Sequence, residues 1–250
     1  MTKEGITVIV VSKGLEGLLH FCLTALQRAL QRLMSGGEVH RVVVVDNASR
    51  PPYIQDLYRT LGVKLLRADL PLSFAAANNA AATLYPNDFY LLLNNDVLLT
   101  EETLLGMHKL MRDHPQVGLC GSRLIFPDGS IQHCGVLFGP GGIGPYHGFR
   151  KKPSDQVSRI NREYQAVTGA CLLVRRAVWE ELGGLDESYP FGLEDIDLCL
   201  RARQRGWNVM CHNETESLHL EAMTPGRRAL DIPSRKLFMK RWKGHYTLDG

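Results

Sequence analysis

The first half of the chain alternates β-branched or apolar runs with segments of helical periodicity. Ile6–Val11, Val42–Val45 and Phe89–Leu93 are almost wholly apolar, the signature of strands buried on both faces. Val63–Leu66 and Val117–Gly121 predict two further short strands. Between them, Leu15 to Met34 has helical spacing and ends before Gly36–Gly37. Tyr53–Leu61, the Ala-rich Phe74–Tyr85 and Glu101–Asp113 also predict helices. Thr100 suits the N-cap of the last, with Glu101–Glu102 in its first turn. Strands alternating with helices imply a mostly parallel sheet covered on both faces, an α/β fold.

The pattern changes after Leu124. Phe126–Ser130 reads as a tight turn joining Leu124–Phe126 to Ile131–Val136. The Gly-rich stretch Gly139–Gly148 reads either as a surface loop or as a lid that orders over a ligand. Val167–Val174 is an apolar run broken by Gly169, and Ala177–Leu182 a short helix closed by Gly183–Gly184. Leu193–Gly206 predicts a helix, Val209–Cys211 a short strand, and Pro233–Trp242 a basic helical tail.

At 250 residues the chain suits one continuous domain, 1–250, and 44% apolar residues allow a sizeable core. A net charge of only +3 is too small by itself to argue for nucleic acid, and no nucleic-acid partner is expected. Six scattered cysteines without a CxxC pair fit reduced, buried thiols and a cytoplasmic setting. Lys3 and Glu4 lead straight into a strand, so no secretory signal is expected, and no run approaches a membrane span.

Three expected strands finish in polar groups: Ser12, Asp46–Asn47 and Asn94–Asn95–Asp96. In an open α/β sheet that edge binds ligands. A carboxylate flanked by amides there suits a divalent cation holding a phosphate, with Asp96 as its ligand. Asp46 and Asn47 either cap a turn before Pro51 or meet a nucleoside. The absence of GxGxxG and GxxxxGK[ST] argues against a dinucleotide cofactor and a P-loop.

Glu194, Asp195 and Asp197 open a helix, where acids serve the macrodipole or where Glu194 or Asp195 serves as general base. His219, in an apolar stretch, reads as a core residue or as a further cation ligand that tilts the preference from Mg²⁺ to Mn²⁺. Arg227, Arg228, Arg235, Lys236, Lys240, Arg241 and Lys243 form either a solvated helix face or a surface for anionic lipid or acceptor phosphates.

Five segments in order resemble family 2 glycosyltransferases of the GT-A fold: Val8–Ser12, Val44–Ser49, Phe74–Asn79, Leu92–Asp96, and Thr168–Ala170 continuing through Gly184–Glu187 to Glu194–Arg201. The look is that of rhamnosyltransferase-like members that build bacterial surface polysaccharides, and it covers roughly Ile6 to Thr224. The resemblance implies a nucleotide-binding half (1–123), a metal and acceptor half (124–224) and the basic tail (225–250). It implies that Asp46 and Ser12 line the base pocket, with Asn47 beside them, and that Asn78 or Asn79 helps hold the nucleoside. Asn94–Asn95–Asp96 stands where the family has DxD, Asp96 and His219 would hold Mn²⁺ or Mg²⁺, and Gly169–Ala170 would approach the donor sugar. Asp195 matches the catalytic base, next to Glu194. Asn94 departs from the family's first Asp, removing one charge near the cation.

The expected reaction is inverting transfer from a UDP- or dTDP-sugar to a glycan or lipid-linked acceptor, in the cytoplasm or at the inner face of the membrane. The competing readings are a sugar-phosphate nucleotidyltransferase and a non-catalytic nucleotide-sugar-binding module. Ser12–Gly17 makes a poor match to the Gly-rich basic loop of the former.

Overall fold

The computed structural model describes residues 4–33, 39–140, 144–221 and 227–250. The expected end of the first helix at Met34 and Gly36–Gly37 lies outside them.

The nucleotide-type half folds as its periodicity dictates. Strands β1 (Ile6–Ser12), β2 (Arg41–Asn47), β3 (Val63–Ala68) and β4 (Phe89–Asn94) are parallel, in the order β3-β2-β1-β4. Side chains alternate across the sheet, so each strand feeds two cores. Phe89, Leu91 and Leu93 pack with α1 (Glu16–Leu33), while Tyr90 and Leu92 pack with α3 (Phe74–Leu84). The short α2 (Gln55–Thr60) precedes β3, and the two-residue β5 (Val97–Leu98) follows β4. Helix α4 (Glu101–Asp113) starts at Thr100, whose hydroxyl accepts from the Thr103 N–H, the cap that the sequence predicts.

Strand β6 (Val117–Ile125) runs unbroken through the expected gap after Gly121. The segment Ile131–Val136 is not one strand. It divides into β7 (Ile131–His133) and the start of β8 (Val136–Gly139) at Gly135, whose φ of +124° only glycine adopts readily. The Gly-rich stretch is more than a loop: β9 (Gly144–His147) pairs antiparallel with β8. The short β10 (Arg162–Glu163) and β11 (Cys171–Arg175) follow, then helices α5 (Arg176–Leu182) and α6 (Glu194–Gln204).

Strand β12 (Asn208–His219) is far longer than the three residues expected, pairing along β6 with a bulge between His212 and Glu216. The sheet reads β10-β12-β6-β11-β4-β1-β2-β3, so one layer joins both halves. The tail helix α7 (Arg227–Trp242) is no detached basic arm: Phe238 and Trp242 bury into the core shared with α6.

Candidate active site

Because β1, β2 and β4 are parallel, their carboxyl ends share one edge, and register aligns Ser12 with Asp46 and Val11 with Asn94. Ser12 Oγ accepts from Asn95 Nδ2 at 2.9 Å and lies 2.8 Å from the Tyr53 hydroxyl. Asp46 is wholly buried. Its Oδ1 accepts from the Ser49 N–H at 3.0 Å, and its Oδ2 from the Tyr53 N–H at 3.1 Å and Arg67 Nη1 at 2.7 Å. Burial disfavours the charged form, but the hydrogen bonds from Ser49, Tyr53 and Arg67 outweigh it and hold the pKa below the ordinary carboxylate value. Sequence reading missed Arg67. The available signal was the pairing of Val42–Val45 with Val63–Leu66, which sets Arg67 opposite Asp46.

Besides Asn95, the predicted amides take different tasks. Asn47 exchanges two hydrogen bonds with the backbone of Leu72 and ties that loop to the sheet edge. Asn78 is buried, donates to the Phe74 carbonyl, and keeps an Oδ1 with no hydrogen-bond partner among the described residues. Asn79 turns to another segment, its amide bonding both backbone groups of Leu185 and the Glu187 carboxylate. Asn94 donates its backbone N–H to the Ala170 carbonyl at 2.8 Å, joining β4 to the Gly169–Ala170 loop.

After Asn94 the chain turns at Asn95–Asp96 and enters β5, which pairs with the end of β12. Val97 faces His219 in that ladder, so the imidazole arrives beside Asp96. His219 Nε2 lies 3.2 Å from Asp96 Oδ1, and both side chains are buried. His219 Nδ1 is buried with no hydrogen-bond partner among the described residues. Two ligands in adjacent octahedral positions, each about 2.1 Å from an ion, stand about 3 Å apart. The Asp96–His219 pair fits that spacing. Among the described residues no group of three or more His, Cys, Asp or Glu could hold a metal. A cation here would therefore take the rest of its shell from substrate and water.

Gly192 and Leu193 both adopt positive φ immediately before α6. For Leu193 that conformation is strained, and such strain persists where surrounding structure imposes it. Beyond it the acids divide. Asp195 accepts from the Gly169 N–H through Oδ2 at 2.6 Å and from the Ile196 N–H through Oδ1 at 2.8 Å. Glu194 is buried at the same helix start. Asp197 faces the opposite way, accepting from Arg201 Nε, Arg241 Nη1, Trp242 Nε1 and the Tyr189 hydroxyl. It is a buried anchor for α7. A chain of contacts thus runs from Asn94 through Ala170 and Gly169 to Asp195.

The architecture is that of GT-A glycosyltransferases. It resembles GalNAc-T7, solved with UDP, GalNAc and Mn²⁺ (TM-score 0.71, 12% identity, 96% of this chain and 48% of that one). It also resembles the mannosyltransferase PcManGT of Pyrobaculum calidifontis, solved with GDP-Man and Mn²⁺ (TM-score 0.63, 17% identity, 93% and 61%). The family model described as glycosyl transferase family 2 matches residues 7–183, and one described as glycosyltransferase like family 2 matches 145–238. The chain belongs to glycosyl transferase family 2.

Among its relatives, the uncharacterized protein y4gI of Sinorhizobium fredii is 30% identical over 98% of this chain and 29% of its own length. The O-antigen biosynthesis protein RfbC of Myxococcus xanthus is 33% identical over 77% and 16%. The N-acetylglucosaminyl-diphospho-decaprenol L-rhamnosyltransferase of Mycobacterium tuberculosis is 27% identical over 82% and 72%. The chain therefore spans less than a third of the first two of these proteins.

Proposed function

We propose that this chain catalyses inverting transfer of a sugar from a UDP- or dTDP-sugar to a hydroxyl of a glycan or lipid-linked acceptor, in the assembly of a surface polysaccharide. The observation that carries the reading is the Asp96–His219 pair, 3.2 Å apart at the carboxyl edge of the sheet. Relatives named for O-antigen biosynthesis and rhamnosyl transfer support it, as do neighbours of this fold solved with Mn²⁺.

Asp96 and His219 would hold Mn²⁺ or Mg²⁺, which when bound supplies positive charge against the leaving diphosphate. Ser12, Asp46, Asn47 and Asn78 form the nucleoside side, with Asn94 and Asn95 towards ribose and phosphate. Gly169–Ala170 borders the donor sugar. Asp195, oriented by the Gly169 N–H, takes the proton from the acceptor hydroxyl, which attacks the anomeric carbon opposite the nucleotide. Glu194 adds a second buried acid at the same helix start. Lys236 and Lys240 on α7, with Lys243 just beyond its end, stand exposed and offer a face to anionic lipid or acceptor phosphates. Among the described residues no helix is long and apolar enough to cross a membrane.

The test is turnover of Asp195→Asn, read as nucleoside diphosphate released from a panel of UDP- and dTDP-sugars. Donor binding should persist while turnover falls by at least ~10². Full turnover rejects the base, and release of pyrophosphate instead rejects glycosyl transfer in favour of nucleotidyl transfer.

A further inference from the structure

Two histidines away from the carboxyl edge of the parallel strands form a pair, one of which, His133, reaches the Thr168 backbone. His133 closes β7 and is wholly buried; His147 closes β9 and is partly buried. Their rings stand at 90°, with the two Nδ1 atoms 2.9 Å apart. Thr168 donates its backbone N–H to His133 Nε2 at 3.4 Å. The next N–H, that of Gly169, goes to Asp195.

These contacts dictate where the protons sit. An Nε2 that accepts carries no hydrogen, so neutral His133 holds its proton on Nδ1. That hydrogen points at His147 Nδ1, which must accept it, leaving the His147 proton on Nε2. Burial, then the positive fields of His147, His219 and Arg150, keep His133 neutral well below its ordinary pKa of 6.5. A second proton between the rings would set two N–H groups head to head.

We propose that the His133–His147 pair is the positioning unit of the transfer reaction: by fixing the Thr168 N–H it sets the Gly169 peptide, and through Gly169 the carboxylate of Asp195. This rests on Asp195 being the base. Neither histidine touches the reacting atoms in this scheme, and both act through the loop. Only the φ and ψ of Thr168 separate the two amides, so the His133 contact restrains one side of Thr168 and the Asp195 contact the other.

The test uses the full chain labelled with ¹⁵N. Long-range ¹H–¹⁵N spectra should show His133 protonated on Nδ1 and His147 on Nε2. The Gly169 amide, bonded to a carboxylate, should resonate downfield and move upfield in His133→Phe and in His147→Phe. In both variants kcat should fall about 10²-fold, the scale of a misplaced catalytic group, with the affinity for UDP or dTDP, which lack the sugar, unchanged. His133→Gln restores an acceptor near Nε2 and His147→Asn one near Nδ1, and each should recover resonance and turnover together. The opposite tautomers, an unmoved Gly169 resonance, or movement without loss of turnover would each overturn the proposal. Full turnover in Asp195→Asn would instead overturn the base assignment, leaving the response of Gly169 to His133→Phe intact.

Discussion

Gly169 donates its backbone N–H to Oδ2 of Asp195 across 2.6 Å, and its Cα lies so close that an added Cβ would stand 3.0 Å from Asp195 Cβ. A side chain here would press on Asp195, which would have to give by a few tenths of an ångström. Gly169→Ala should push the carboxylate aside and lower kcat by about 10²-fold, with binding of UDP and Mn²⁺ unchanged by calorimetry. Wild-type turnover would show that the close approach is incidental.

His219 meets Asp96 only because two residues of β5 pair with the end of β12. His219→Ala should weaken Mn²⁺-dependent binding of UDP or dTDP by at least ~10-fold, and Asp96→Ala should abolish it. Titration calorimetry with and without Mn²⁺ reads both. Equal affinities in the two conditions for wild-type protein would remove the cation from the scheme.

Arg67 is the sole side-chain cation within hydrogen-bond reach of Asp46 among the described residues. Arg67→Ala leaves a buried carboxylate held by Ser49 and Tyr53 without its cation. The expected loss is about 1–3 kcal/mol, measured by urea unfolding. A change near zero would mean that Asp46 relaxes towards water.

Asp197 carries four donors from α6, α7 and the segment before α6, and is wholly buried. Asp197→Ala leaves Trp242 Nε1 without its acceptor. It takes one partner from Arg201, which keeps the Leu182 and Gly184 carbonyls, and one from Arg241, which keeps Asp186. The substitution should cost roughly 1–3 kcal/mol. For a chain of this size each kcal/mol is worth about 2–4 °C in Tm, so calorimetric scanning should resolve it easily.

Acid should act through Asp186. Burial opposes its charge, but bonds from Ser188 and Arg241 prevail and its pKa falls from 3.8 to about 2. A carboxyl depressed by folding contributes stability that is complete above 3.8 and is lost as pH falls towards 2. Unfolding midpoints should therefore drop across that window, and Asp186→Asn should flatten the drop. An unchanged slope would place the acid sensitivity elsewhere.

The parallel half was legible because Phe89–Leu93 and its neighbours are apolar on both faces and stop abruptly in polar groups. Strand β12 was not, because the polar residues Asn213–Glu216 interrupt its apolar run after Cys211. The structure tolerates Glu216 in a strand by setting it 3.4 Å from buried Arg123 and 3.1 Å from Arg159, partners far away in sequence. The acids of α6 could not be sorted from sequence either. Positions 195 and 197 lie ~200° apart around a helix, and only the placement of the Gly169 loop and of α7 decides which acid looks inward.

One helical turn thus serves two masters. Asp195 leans on the Gly169 loop, and Asp197, two residues on, is riveted to the tail through Arg241 and Trp242. The tail and the Gly169 loop are thereby fastened to one coil of backbone, two residues apart, beside the carboxylate proposed to do the chemistry.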